Sequence, residues 1–355
     1  MDINNTYFMY IALLVFSISF VLSLIIVNIP SKYTSSEGDL IGVQKFHDSL
    51  TPRIGGVAVF ASFFSGLYFL PISLNMYLSI LAASLPIFIA GLVEDISAKV
   101  TPFVRMIAIS VTIVLTYKLL DIKIDHLEIE FVDGLLLKYP FLVFFLTLLA
   151  GVGLVNSINI IDGYNGLMLG FIILALLAEI YVAYAVGDFL VFQIGVVFIS
   201  SLLGLFVFNF PFGKIFSGDS GAYFIGFISA LIGLILSNRN SSVSYWFVML
   251  LFIYPLFETV FSIYRKKIVR GTSVSEPDGF HLHMMVFKRI VKCKYFDSKI
   301  MCNSATSPLL WLLSLFGIIP AVVWYNEPYI LIIFSVLFML LYGVIYRRIV
   351  LFRFK

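Results

Sequence analysis

Residues 139–165 read YPFLVFFLTLLAGVGLVNSINIIDGYN, an apolar run that ends in amides and a carboxylate. Coiled as a helix, the stretch 139–158 is long enough to cross a hydrocarbon layer about 30 Å thick. Its polar tail begins where such a helix reaches the surface. Asn156, Asn159 and Asp162 are spaced three apart, which lines them along one helical face. Outward from this run, comparable apolar stretches lie near 7–28, 54–73, 77–93, 103–120, 166–187, 189–209, 220–237, 244–264, 307–325 and 328–346. The reading is an all-α polytopic membrane protein with about 11 transmembrane helices, residues 1–355 forming one membrane domain.

Composition agrees. Hydrophobic residues make up 61% and charged residues 12%, and mean hydropathy is +1.05. Soluble domains carry about 25% charged residues, so this chain has too few to cover a water-facing surface. The first run, Tyr7 to Val27, exceeds a signal-peptide core, and its flank has Asp2 but no basic residue, so a retained span is expected. Cys293 and Cys302 share one loop without C-x-x-C spacing and read as free cytoplasmic thiols. Partial alternation on either side of Val132-Asp133-Gly134 suggests a short extracytoplasmic β-hairpin over 122–138.

The basic residues set an orientation. With the N-terminus outside, 19 of the 23 Lys and Arg fall on the inner side and 4, Lys118, Lys123, Lys138 and Arg239, on the outer. The positive-inside rule therefore puts the N-terminus outside and the C-terminus in the cytoplasm. The loops near 29–53, 94–102, 159–165, 210–219 and 265–306 become cytoplasmic, and every polar cluster lies in or beside one of them.

Polar groups at a membrane edge are costly, so their gathering marks function. Thr51-Pro52-Arg53-Ile54-Gly55-Gly56 offers a guanidinium for a phosphate, or an interfacial anchor. Glu94-Asp95 puts two carboxylates at a helix C-terminus, where the dipole opposes them, unless a loop solvates them. The row Asn156, Asn159, Asp162 suits nucleotide or phosphate recognition; capping accounts for Asp162 but not for the amides. Asp219, between glycines before a span, either caps that helix or binds Mg²⁺. His281 and His283 in Pro277-Asp278-Gly279-Phe280-His281-Leu282-His283 read as diphosphate donors better than as metal ligands, since the chain has only 4 histidines. Carboxylates for a cation and cations for a phosphorylated ligand together suggest phosphoryl chemistry.

The order and wording of these clusters, from Thr51 to His283, resemble the polyprenyl-phosphate N-acetylhexosamine-1-phosphate transferases, initiators of peptidoglycan, O-antigen and teichoic-acid lipid intermediates. The Asn-x-x-Asn-x-x-Asp-Gly row and the Phe-x-Gly-Asp-x-Gly loop carry most of the likeness. It implies transfer of a sugar phosphate from a UDP-N-acetylhexosamine to polyprenyl (undecaprenyl) phosphate, with release of UMP. Mg²⁺, or Mn²⁺ in its place, would be the cofactor and the bacterial inner membrane the location. Glu94, Asp95 and Asp162 are then the catalytic candidates, Arg53, Asn156, Asn159, His281 and His283 the substrate-binding ones, and Asp219 the metal ligand. No nucleic-acid partner is expected, and homodimerisation stays open. The chain departs from the family wording in three places. Glu94-Asp95 stands for Asp-Asp, Glu258 replaces Asp in Pro-x-x-Asp-Thr, and Met284 stands where a third histidine is common. The rival class, a transporter or lipid flippase, would scatter ionisable residues through the spans; Glu179 and Gln193 are the main deep ones.

Overall fold

The computed structural model describes residues 3–29, 51–272, 279–296 and 298–351. The loop 30–50 and the pair Pro277-Asp278 lie outside them. Fifteen α-helices follow one another: α1 Ile3–Asn28, α2 Gly55–Tyr68, α3 Leu74–Ser97, α4 Pro102–Leu119, α5 Glu130–Lys138, α6 Pro140–Ile161, α7 Leu167–Ala185, α8 Phe189–Asn209, α9 Gly218–Arg239, α10 Tyr245–Leu251, α11 Ile253–Tyr264, α12 Leu282–Arg289, α13 Lys299–Ser304, α14 Thr306–Val323 and α15 Pro328–Val350. Among the described residues, 9 helices are long and apolar enough to cross a membrane, with α13 and α14 together counted as one. The bent pair α10–α11 makes a tenth, and α2 is a shorter apolar helix. Every apolar run of the sequence is therefore helical.

The two unusual spans have local causes. α10 and α11 meet at 70°, and Pro255 in the first turn of α11 has no N–H to carry the ladder across the break. α2 runs only from Gly55 to Tyr68, and its entry is held by the chain ahead of α9. Phe216 donates to the Pro52 carbonyl, Gly55 to that of Phe216 and Gly56 to that of Ser217, at 2.8, 3.0 and 2.9 Å.

α9 is the central post. Nearly all of it is buried, and α2, α3, α6, α7, α8 and α10 pack around it. Small residues permit the approach at its first turn. A Cβ on Gly91 would lie 2.5 Å from the Ser220 backbone, and one on Gly56 would collide with the Gly221 backbone. In lipid, helices associate by this kind of close packing, since tails are as apolar as leucine.

Two expectations are corrected. Residues 130–138 form α5, not a hairpin arm, and no strand occurs among the described residues. Asp133, the proposed turn residue, accepts from Leu127 N at 2.6 Å and ties the helix to the preceding loop. Cys293 and Cys302 are joined as a disulfide, because the turn after Lys292 and the start of α13 bring their Cα atoms within 5.2 Å. Maleimide labelling of unreduced, denatured protein should therefore add no mass at these positions, and labelling after reduction should add two adducts. Two adducts without reductant would restore the free thiols.

Candidate active site

The site lies where the C-terminal ends of α3 and α6 meet the N-terminal ends of α2, α4 and α9. Asp219 occupies the first turn of α9. Arg105, one turn into α4, places Nη1 2.6 Å from Asp219 Oδ2, and Arg53 Nη2 lies 3.8 Å from Oδ1. Glu94 Oε1 stands 4.0 Å from the same Arg105 nitrogen. Its other oxygen accepts from Val100 N at 2.8 Å and so closes the α3–α4 turn.

Asp95 has a different duty. Its carboxylate is buried and accepts from Asp219 N at 2.7 Å, Ser220 N at 2.9 Å and Ser220 Oγ at 2.6 Å. It satisfies backbone donors that the start of α9 would otherwise leave unpaired, and it sits on the positive end of that helix dipole. Capping, the plainer alternative for Asp219, thus falls to Asp95 on a neighbouring helix. The Asp219 side chain is left to face the two arginines.

The amide row is only partly one face. Asn159 Nδ2 donates to Tyr223 OH at 3.0 Å, and Tyr223 is one turn along α9 from Asp219. Arg105 lies beside the same hydroxyl. Asn156 is partly buried one turn earlier. Asp162 leaves the helix as its C-cap, with φ −78° and ψ 64°. Burial pushes its carboxyl up to about 7; Arg53 pulls it back, while Asp219 and Asp95 add to the rise. These electrostatic couplings gather Arg53, Asp95, Asp162 and Asp219 into one neighbourhood.

The following loop is pinned from α13 and α14. Asn165 N donates to Asn303 Oδ1 at 2.9 Å, Asn165 Nδ2 to Ser304 Oγ at 3.0 Å, and Ser307 Oγ to the Asn165 carbonyl at 2.6 Å. Gly166, with φ +75°, donates to Asn209 Oδ1 at 2.7 Å. A glycine accepts that backbone conformation at no steric cost.

The two histidines stack in parallel, with ring centroids 5.3 Å apart. His283 packs against Tyr164 with centroids 5.7 Å apart, and a Cβ on Gly163 would lie 3.5 Å from its Nε2. His283 therefore borders the Asp162-Gly163 turn, with His281 stacked on it. Burial takes the His283 imidazole down to about 3, so that ring is neutral at pH 7.

Sequence reasoning brought out Arg53, Glu94, Asp95, Asn159, Asp162, Asp219, His281 and His283, and the fold draws them to one end of the bundle. It passed over Arg105 and Tyr223 as site residues. An arginine one turn into an apolar span was the available signal for Arg105, and the spacing of four from Asp219 was the signal for Tyr223. Glu179 is fully buried in α7 beside Gly233, well apart in sequence from these clusters.

The donor set fits a hard divalent cation, since Asp219, Asp162 and the Asn159 side-chain carbonyl offer only oxygen. Among the described residues, no three His, Cys, Asp or Glu side chains form a ready metal cage. Mg²⁺ commonly takes one or two carboxylates and completes its shell with water and substrate phosphate. Arg105 holds the cation position on Asp219 here.

Among the described residues, a helical bundle gathers carboxylates and guanidiniums at one end, a set suited to phosphoryl transfer at a membrane surface. Comparison with known proteins points the same way. The model of glycosyl transferase family 4 matches residues 77–237, and this match and the relatives below support the polyprenyl-phosphate N-acetylhexosamine-1-phosphate transferase family. A probable undecaprenyl-phosphate N-acetylglucosaminyl 1-phosphate transferase of Bacillus subtilis is 29% identical over 75% of this chain and 75% of its own. A phospho-N-acetylmuramoyl-pentapeptide-transferase of Streptococcus uberis is 26% identical, covering 69% and 80%. A putative UDP-N-acetylglucosamine–dolichyl-phosphate N-acetylglucosaminephosphotransferase of Sulfolobus acidocaldarius is 29% identical, covering 66% and 72%.

Proposed function

We propose that this chain transfers N-acetylhexosamine-1-phosphate from a UDP-sugar to polyprenyl phosphate at the cytoplasmic face of a bacterial inner membrane. The observation that carries the reading is Asp219 held between Arg105 and Arg53 at the end of the bundle where Asp162 also emerges. The polyprenyl tail would lie along the bundle's lipid-facing side while the nucleotide enters from water. The 19-to-4 basic asymmetry supports placing this end in the cytoplasm.

An oxygen of the lipid phosphate attacks the phosphorus that bears the sugar. A new P–O bond forms, the P–O bond to the uridylate breaks, and UMP departs with that electron pair. A phosphate monoester has its second pKa near 6, so the attacking oxygen is largely ionised at neutral pH without a strong base. The protein's task is alignment and charge neutralisation of two anions. Arg53 and Arg105 donate to phosphate oxygens. Asn156 and Asn159 hold the nucleotide side, and His281 and His283 face the diphosphate or sugar. Asp95 holds the first turn of α9, and hence Asp219, in register, while Glu94 keeps Arg105 near. Mg²⁺, which Asp219 would hold together with Asn159 Oδ1 or Asp162, supplies positive charge to the donor diphosphate when bound.

One diphosphate is exchanged for another, so the reaction should run in both directions. Radiolabelled UMP is expected to enter UDP-N-acetylhexosamine when lipid-linked product and detergent-purified protein are present. A flippase cleaves no bond, so absence of exchange with folded protein and the full set of lipid-linked hexosamines counts against the transferase.

A further inference from the structure

Glu258 lies outside the constellation just described, on α11, and is fully buried. Its four hydrogen bonds converge from two other elements. His281 Nδ1 stands 3.0 Å from Oε1, Leu282 N donates to Oε1 at 3.0 Å and to Oε2 at 3.2 Å, and Tyr342 OH donates to Oε2 at 2.9 Å. Tyr342, itself buried on α15, closes the carboxylate off from the far side.

A buried carboxylate is costly unless every lone pair is used, and here the use is specific. The hydrogen bond that one imidazole nitrogen makes determines the tautomer and direction of the other. With Nδ1 against Glu258, Nε2 of His281 is the nitrogen left to face outward. The Leu282 N–H bond fixes the backbone immediately after the ring. Parallel stacking on His283, which borders the Asp162-Gly163 turn, fixes the ring plane.

We infer that Glu258 is a positioning residue: it holds His281 through Nδ1, braced by Tyr342, so that Nε2 is presented to the phosphate or sugar of the donor. This rests on the transferase reading of the site and assigns to the α11 carboxylate a duty that a helix cap alone would not have.

The test is a double-mutant cycle on purified protein, with UMP release as the readout. Glu258→Leu and His281→Ala should each cut turnover about 10–100-fold, the range for removing a group that orients a ligating histidine. If Glu258 acts through His281, adding Glu258→Leu to His281→Ala should cost less than about 3-fold more, since coupled residues are non-additive. A cap of α12 alone would cost the same in both backgrounds, and equal losses overturn the proposal. So does an active protein indifferent to His281→Ala. Should Glu258→Leu fail to fold, Glu258→Asp, which draws the carboxylate back by one methylene, is read in the same cycle. Should the unaltered protein turn over no UDP-sugar, the transferase reading falls separately. The cycle is then read from calorimetric affinities for UDP, where additive losses again overturn the assignment.

Discussion

Asp219→Asn is expected to leave the protein folded and to lower UMP release by about 10²–10³-fold, the size of effect found when a preorganised electrostatic group is removed from a reacting centre. The side chain makes no contribution to capping α9, because Asp95 accepts from the Asp219 and Ser220 N–H groups. Asparagine therefore changes the charge facing Arg105 and Arg53 and leaves the helix start intact. Asparagine keeps an oxygen that can accept from Arg105, so the melting temperature should fall less than in Asp95→Asn, where a buried donor loses its partner. Retained turnover at limiting Mg²⁺ would move the cation to another group.

Asp95→Asn should fail in a different way. The carboxylate serves two backbone N–H groups and one hydroxyl, all buried. The amide has one acceptor oxygen, and its NH₂ must face one of the two backbone donors. The Ser220 hydroxyl can turn to accept, but a backbone N–H cannot. One buried donor left unpaired costs about 1–3 kcal/mol. Gly91 and Gly56 pack directly on this backbone, so the first turn of α9 has no room to relax. Turnover should fall at least about 10²-fold, with Asp219 displaced, and the melting temperature should drop in the same variant. Thermal melts of the two proteins side by side separate the roles: Asp219→Asn loses activity with the smaller change in stability, Asp95→Asn loses both. An unshifted melt for Asp95→Asn would return Asp95 to a direct part in the chemistry.

These contrasts show which parts of the molecule could be read from sequence. Apolar length fixes helices because a buried backbone in lipid must bond to itself, and every apolar run from 7–28 to 328–346 is helical. The shortness of α2 and the 70° bend before α11 depend on contacts with residues 216–217 and on the ladder gap at Pro255, which no hydropathy window measures. The segment 122–138 shows why alternation misleads in short stretches: Asp133 bonds back to Leu127 and favours a helix over a turn. Cys293 and Cys302 are nine residues apart with no motif, so their pairing follows from the path of the chain into α13.

At the site, residue types were legible and partnerships were not. Glu94 and Asp95 are adjacent in sequence, yet one closes the α3–α4 turn and the other caps α9 from across the bundle. Arg105 was given no role because a lone arginine at the start of a span also reads as an interfacial anchor. Its 2.6 Å contact with Asp219 is a product of α3, α4 and α9 packing together. Glu258 stood out only as a departure from the family wording. Its bonds to His281 and Tyr342 join elements 23 and 84 residues away.

The most direct measurement is donor-dependent UMP release by purified protein in detergent, with polyprenyl phosphate, Mg²⁺ and a panel of UDP-N-acetylhexosamines. The account predicts release with at least one donor, strictly dependent on the lipid phosphate, and loss of that release in Asp219→Asn. Folded protein that releases no UMP from any donor in the panel, or that releases it equally without the lipid phosphate, would contradict it.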